Sequence, residues 1–325
     1  MKRVVRASLV QFSPRWLDRE RNADRMRAFA EDEAREGADL ILFPELANIG
    51  YIPPRPRASG ATAEEVDAAV QYVRAAETIP GPTTLALSDV AARFHTHIVV
   101  GIAERHPTIP GTLYNSAALI GPSGIVGVHR KVHLGRDEKQ YFYAGNSAQV
   151  FDTDIGRLGL LICYDSRFPE IVRAQALKGA EIVCSVWANP RIGSSKGPHR
   201  LHMFSYVRAL ENANFFLSCG RVGEEGGVHF SGHSAAGSPG GELLAASDTE
   251  DEEVVRVTLQ EKDLLKARTI FPYFRDRRPD VYGILVEALA PEEPRRATAE
   301  GAVFRPPTRG EGVGPGRPAG HPPAG

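Results

Sequence analysis

Hydrophobic residues along this chain come in short bursts that switch between two periods. Residues 4–12 (VVRASLVQF) read as a strand. Residues 22–36 then set Met26, Phe29, Ala30 and Ala34 on one face at helical spacing, with Gly37 as the stop. Residues 38–43 form a short apolar strand of the kind buried on both faces. Thr62 followed by Glu65 has capping-box spacing and predicts a helix whose apolar face is Val66, Ala69, Val70 and Val73. Residues 98–103 read as a strand, and 113–120 and 125–132 as a hairpin around the turn GPSG. A second hairpin joins 149–152 to 159–163.

Residues 169–178 predict a helix with Pro at its start and Gly179 at its end. Strands follow at 181–187, 215–219, 231–236 and 254–259, with a helix at 199–211. Strand–helix units mixed with hairpins imply an α/β fold with partly antiparallel sheets. No repeat of 20 to 50 residues recurs, which argues against a solenoid. From residue 291 the chain turns rich in Pro, Gly and Arg. The expected organisation is one domain over 1–290 and a disordered, inert tail over 291–325.

Composition narrows the class. The 325 residues carry a formal charge of −1, which gives no reason to expect a nucleic-acid or anionic-membrane partner. No stretch approaches the roughly 20 apolar residues of a membrane span, and the N-terminal residues lack a secretory signal pattern. Cys163, Cys184 and Cys219 form no CxxC pair and no disulfide framework. A cytoplasmic protein is the expectation.

Three strands end on reactive side chains. Glu45 follows an apolar run and a proline in LILFPE, Lys131 ends a hairpin strand in HRKVHL, and Cys163 closes the run GLLIC before YDSR. Taken singly, each has an ordinary alternative: a loop acid, a solvated edge lysine, and a small buried hydrophobe such as Cys184 and Cys219 are expected to be. Together they offer a carboxylate, an ammonium and a thiol at one sheet edge, on loops held by a rigid scaffold.

In this order and spacing, LILFPE…GY, HRKVHL with Glu138, and GLLICYDSRFPE resemble the three catalytic segments of the carbon–nitrogen hydrolase (nitrilase) superfamily. WANP at 187–190 and RALENANF at 208–215 extend the likeness across residues 4–285. The resemblance implies a four-layer αββα sandwich and an enzyme with Cys163 as nucleophile and Glu45 as general base. It assigns the oxyanion to Lys131 and the backbone N–H of Tyr164, and it implies no metal and no organic cofactor. Glu138 matches a second family glutamate that orients Lys131 or the leaving group; a structural salt bridge is the alternative. A Cys–His arrangement with His129, His133 or His199 is the chemical rival, but nothing in their sequence setting marks a base.

The substrate classes in play are amides, ureido (N-carbamoyl) compounds and nitriles. Tyr164 and Asp165 after the cysteine look like the amidase and N-carbamoyl hydrolase branches, whereas nitrile-hydrolysing members commonly carry Trp there. Arg167 suits a substrate carboxylate through paired hydrogen bonds; pairing with Asp165 or Glu170 is its alternative. Tyr51, Trp187 and Asn189 are candidate pocket walls, against core packing for Trp187 and a turn cap for Asn189. The resemblance further implies a homodimer or higher homo-oligomer, with the helix PEIVRAQALKG at the contact and 271–285 extending toward the partner. A catalytically silent interaction protein is the alternative of another class.

Overall fold

The computed structural model describes residues 1–51, 60–191 and 199–287, apart from the side chains of residues 136 and 137. In chain order the elements begin β1 (Val4–Gln11), α1 (Arg19–Arg35), β2 (Leu40–Leu42), α2 (Ala63–Ala75), α3 (Pro82–Phe94), β3 (His97–Arg105), β4 (Leu113–Gly121) and β5 (Gly124–Arg130). They continue with β6 (Val150–Thr153), β7 (Gly156–Ile162), α4 (Pro169–Leu177), β8 (Ile182–Trp187), α5 (Arg200–Asn212) and β9 (Phe215–Gly220). The last are β10 (Val222–Glu225), β11 (Val228–Ser231), β12 (Ala235–Gly237), β13 (Leu243–Ala246), β14 (Glu253–Gln260) and α6 (Glu261–Ile270).

Two six-stranded sheets result, ordered β14-β1-β2-β3-β4-β5 and β13-β12-β9-β8-β7-β6, beside the small hairpin β10-β11. Period-two alternation explains the layering. Val5, Ala7 and Leu9 of β1 pack with Leu158, Leu160 and Ile162 of β7 and Ile182, Cys184 and Val186 of β8 in a core between the sheets. The alternate residues face outward. Ile41, Val100 and Ile120 meet Met26 and Ala30 of α1 and Leu87 and Val90 of α3, while Leu161, Val183 and Phe216 meet Val172 of α4 and Ala209 of α5. The order helix, sheet, sheet, helix is the αββα sandwich. Each fully buried Leu, Ile or Val contributes roughly 1.5–3 kcal/mol, and a one-residue slip of any inner strand would turn its apolar set outward.

Several sequence expectations shift. Thr62 caps α2 as predicted: its Oγ1 accepts from Glu65 N–H at 3.2 Å and its N–H donates to Glu65 at 3.0 Å. The predicted apolar face holds only in part, with Val73 packed against the core around Tyr72. Val66 and Val70 are exposed, and Tyr72 is the buried residue of α2. The strand expected over 231–236 breaks in two, because Gly232 and His233 take φ of 61° and 58° between β11 and β12. Helices α3 and α6 were not anticipated. Cys184 and Cys219 are buried as expected.

Met1–Arg277 forms one compact unit. The unit from Arg278 is described as far as residue 287, as two short 3-10 turns, Pro279–Val281 and Gly283–Val286, with Arg278 paired to Asp280 at 2.6 Å. The expected tail over 291–325 lies outside the described residues. Among those residues no helix is long and apolar enough to cross a membrane.

Candidate active site

Glu45 reaches its position because the chain leaving β2 bends tightly over β3. Phe43 N–H donates to Val99 O at 2.8 Å and Ala47 N–H to Gly101 O at 2.9 Å, so residues 44–46 lie on Gly101 itself. A Cβ at Gly101 would stand 2.4 Å from Pro44 O and 2.5 Å from the Glu45 Cα. Leu46 completes the bend at φ 51°, in the left-handed region that costs a non-glycine residue about 1 kcal/mol. The Glu45 carboxylate is fully buried, and its Oε2 accepts from Ala188 N–H at 2.6 Å.

Lys131 follows β5 directly and is held by its own N–H to Asn115 O and by Gly145 N–H to its carbonyl, both at 2.8 Å. Its buried Nζ lies 2.6 Å from Glu45 Oε1 and 2.6 Å from Glu138 Oε1. Asn115 of β4 donates through Nδ2 to the same two oxygens, at 2.7 and 2.9 Å. Gly135 N–H holds the other Glu138 oxygen at 2.6 Å. Sequence reasoning missed Asn115: inside LYNSAALIG it reads as one strand residue among others, and only the fold shows what it faces.

Cys163 follows β7 directly and opens a 3-10 turn, Cys163–Arg167, at φ 44°. A strained backbone just past an apolar strand turns the thiol out of the sheet, where the charges of Glu45, Lys131 and Glu138 act on it. Ser166 Oγ lies 2.8 Å from Ser185 Oγ, and Arg208 of α5 donates to the Ser166 and Arg167 carbonyls at 2.8 and 3.3 Å, fixing the far end of the turn. His129 and His133 bond instead to Asp165, and His199 stacks on His233 at 3.5 Å. These contacts favour the Glu–Lys–Cys grouping over a Cys–His one.

The electrostatics follow from burial and sign. Burial raises the Glu45 carboxyl above its ordinary value, Glu138 adds to the rise, and the Lys131 ammonium opposes it. Burial disfavours the Lys131 charge, but Glu45 and Glu138 together outweigh that and hold it well above the usual lysine range. The Cys163 thiol is pushed well up by burial and by Glu45, with Lys131 pulling the other way. A lysine alone would favour thiolate; here the thiol rests protonated beside its carboxylate. Among the described residues no cluster of His, Cys, Asp or Glu is arranged to hold a metal ion.

Lys131, Glu138 and Cys163 line a cavity of about 950 Å³ together with Tyr51, Tyr164, Arg167, Trp187 and Asn189, and Glu45 lies buried behind it against Lys131, so the residues singled out from sequence are brought together. Tyr51 packs edge-on against Phe230 at 5.7 Å, and burial, then Glu138 and Glu45, keep its phenol neutral. Trp187 is both core and wall: it is buried, and its ring lies against Phe204 at 5.4 Å. Asn189 is neither simple wall nor turn cap, since it donates to Ser231 Oγ at 3.1 Å and accepts from Arg200 at 2.7 Å. Asp165 is taken by the two histidines rather than by Arg167, whose guanidinium lies 5.8 Å over Tyr164 and 5.9 Å over Phe204. Arg200, another residue missed from sequence, lines the same cavity at the first position of α5. Burial and then the neighbouring Arg167 charge lower its pKa. Its place became visible only once α5 was folded against the nucleophile turn.

Fold and site thus define a carbon–nitrogen hydrolase. Residues 6–269 match the carbon-nitrogen hydrolase family model, and the chain belongs to that family as an enzyme of the nitrilase superfamily. It is 35% identical over 288 residues to a nitrilase of Pyrococcus abyssi, covering 86% of this chain and 99% of that one. It is 29% identical to the human omega-amidase over 274 residues, 81% and 91% of the respective chains. Among solved structures it resembles Saccharomyces cerevisiae Nit3, of branch 10 of the nitrilase superfamily, with a TM-score of 0.72 and 27% identity over 85% and 97% of the two chains. An amidase from Nesterenkonia sp. gives a TM-score of 0.67 at 28% identity over 87% and 96%.

Proposed function

We propose that this protein hydrolyses the C–N bond of a small amide bearing a carboxylate at its far end, through a thioester on Cys163. The observation that carries the reading is a buried carboxylate–ammonium pair, Glu45 and Lys131, acting on the Cys163 thiol at a cavity that also holds Arg167 and Arg200. Glu45 takes the Sγ proton as sulfur attacks the carbonyl carbon. Lys131 Nζ and Tyr164 N–H stabilise the oxyanion, a contribution of roughly 3–4 kcal/mol per donor in comparable sites. Collapse breaks the C–N bond, and Glu45 returns the proton to the departing nitrogen, releasing ammonia. Water, deprotonated by the same carboxylate, then cleaves the thioester to acid and free thiol. Glu138 and Asn115 hold Lys131 and Glu45 in place. A free thiol nucleophile suits a reducing compartment such as the cytoplasm.

The anionic end follows from charge. Among the described residues lining the cavity Glu138 is the one acid, and it is engaged by Lys131, Asn115 and Gly135. Arg191 is paired with Glu250 at 3.3 Å, whereas Arg167 and Arg200 have no ion-pair partner among the described residues. Two like charges in one cavity favour an anion between them. A nitrile is the second reading, favoured by the likeness to the Pyrococcus abyssi nitrilase. The protein is expected to work as a homo-oligomer.

The test is ammonia release from dicarboxylic monoamides, neutral amides, N-carbamoyl amino acids and nitriles, with carbon dioxide followed in parallel. Monoamides should be turned over best, Cys163→Ala should be inactive, and Glu45→Gln should lose roughly 10²–10⁴-fold in kcat. Arg167→Ala and Arg200→Ala should each raise KM about 10- to 100-fold for the monoamide and little for a neutral amide. Carbon dioxide from ureido compounds, or activity confined to nitriles, would replace the amide reading.

A further inference from the structure

Lys131 and Cys163 come from different sheets, and catalysis requires their separation to hold within about 0.5 Å. One fully buried side chain bridges the two segments. Asp165 Oδ2 accepts from Ile162 N–H at 3.3 Å, within its own turn, and from His129 Nε2 at 3.0 Å. Its Oδ1 accepts from His133 N–H at 2.8 Å and His133 Nδ1 at 2.9 Å. The histidines stand two residues before and two after Lys131, so both flanks of the lysine are tied to one carboxylate. His133 also stacks on Phe168, just beyond the turn, with centroids 3.8 Å apart and planes 11° apart. A residue serving only to cap the Cys163 turn would need no donor from the Lys131 segment; three of these four bonds come from it.

We infer that Asp165, with His129 and His133, is a positioning clamp that sets the Lys131 ammonium against the Cys163 sulfur. Burial disfavours the Asp165 charge, but hydrogen bonds from His129 and His133 outweigh it and keep the carboxylate ionised. The titratable groups facing the thiol are Glu45, Lys131, Glu138, Tyr51 and Arg200, and of these Lys131, the one the clamp holds, and Arg200 favour the thiolate. Loosening the clamp therefore moves thiolate formation to higher pH.

The inference rests on Cys163 as nucleophile, so its test includes a readout that needs no substrate. Asp165→Asn risks the fold, whereas the His133 side chain is 28% exposed and tolerates change. In full-length protein, His133→Ala should lower kcat about tenfold with KM unchanged, the scale expected of a small misplacement. It should also shift the pH midpoint of Cys163 alkylation by iodoacetamide upward. His133→Asn places an amide nitrogen where Nδ1 stood and should restore both. Wild-type kcat and alkylation profile in His133→Ala, a loss confined to KM, or an Asn variant no better than Ala would overturn the clamp alone. A wild-type Cys163 that resists iodoacetamide at every pH would overturn the nucleophile assignment and the clamp with it.

Discussion

Glu45 and Glu138 are two carboxylates facing one ammonium, so the buried group around Cys163 is net negative before the thiol ionises. That sign decides the resting state. A thiol beside surplus negative charge keeps its proton, and the base must take it during attack. The same surplus keeps Glu45 reluctant to ionise, since burial and Glu138 both raise its pKa above the ordinary 4.5. Because the base works ionised, activity is present above that raised pKa and is lost as pH falls through it. The acid limb of kcat/KM for a neutral amide should therefore lie above pH 4.5. Glu138→Gln removes one of the charges raising Glu45, so the limb should move to lower pH. A limb that stays put or climbs in this variant would show that Glu138 does not act on Glu45 through charge.

Strand ends do the positioning, and the one that carries Glu45 relies on a neighbour that offers no bulk. Gly101 sits inside β3, where glycine normally weakens a strand, yet the chain over 44–46 occupies the space its side chain would need. Gly101→Ala should push Glu45 out of line. A kcat loss of roughly tenfold or more is expected, with destabilisation of about 1–3 kcal/mol from overpacking. Steady-state kinetics with a melting curve would check this, and a wild-type kcat would show that the bend absorbs the methyl. The contrast between Glu45 and Gly101 marks what a sequence reveals. Buried strands such as β2 and β7 write apolar runs, so their ends at Glu45 and Cys163 were legible, as was the Thr62 cap; Lys131, after the half-buried edge strand β5, was legible through the hairpin pattern instead. Gly101, Asn115 and Arg200 matter through what lies across from them, which no local pattern records. Helix α2 was misread in part for a related reason: spacing showed that Val66 and Val70 share a face, not that anything covers it.

Helix α5 links the cavity to the outside of the molecule. Leu201, Ser205, Arg208, Ala209 and Asn212 are buried toward the sheet, while Met203, Tyr206 and Val207 stand 40–44% exposed at i, i+3, i+4 spacing. On the neighbouring α4 Leu177 is exposed, but most of the apolar residues are turned inward. We propose that a dimer contact, expected from sequence on α4, would fall mainly on α5. A second copy of the chain suits such a face, because a two-fold contact lets the same stripe cover itself, and Met and Tyr are enriched in interface cores. Burial of about 800 Å² per subunit would be ordinary for such a pair. The consequence reaches the site, since α5 supplies Arg200 to the cavity and Arg208 to the carbonyls of the nucleophile turn. Met203→Glu with Val207→Glu should convert a dimer of 35.3 kDa subunits to monomer in sedimentation velocity. The same double variant should raise KM for anionic amides as the backing of Arg200 loosens. A wild-type protein that sediments as a monomer at micromolar concentration, or a double variant that stays dimeric, would place the contact elsewhere. A monomeric variant with wild-type KM would separate assembly from the site.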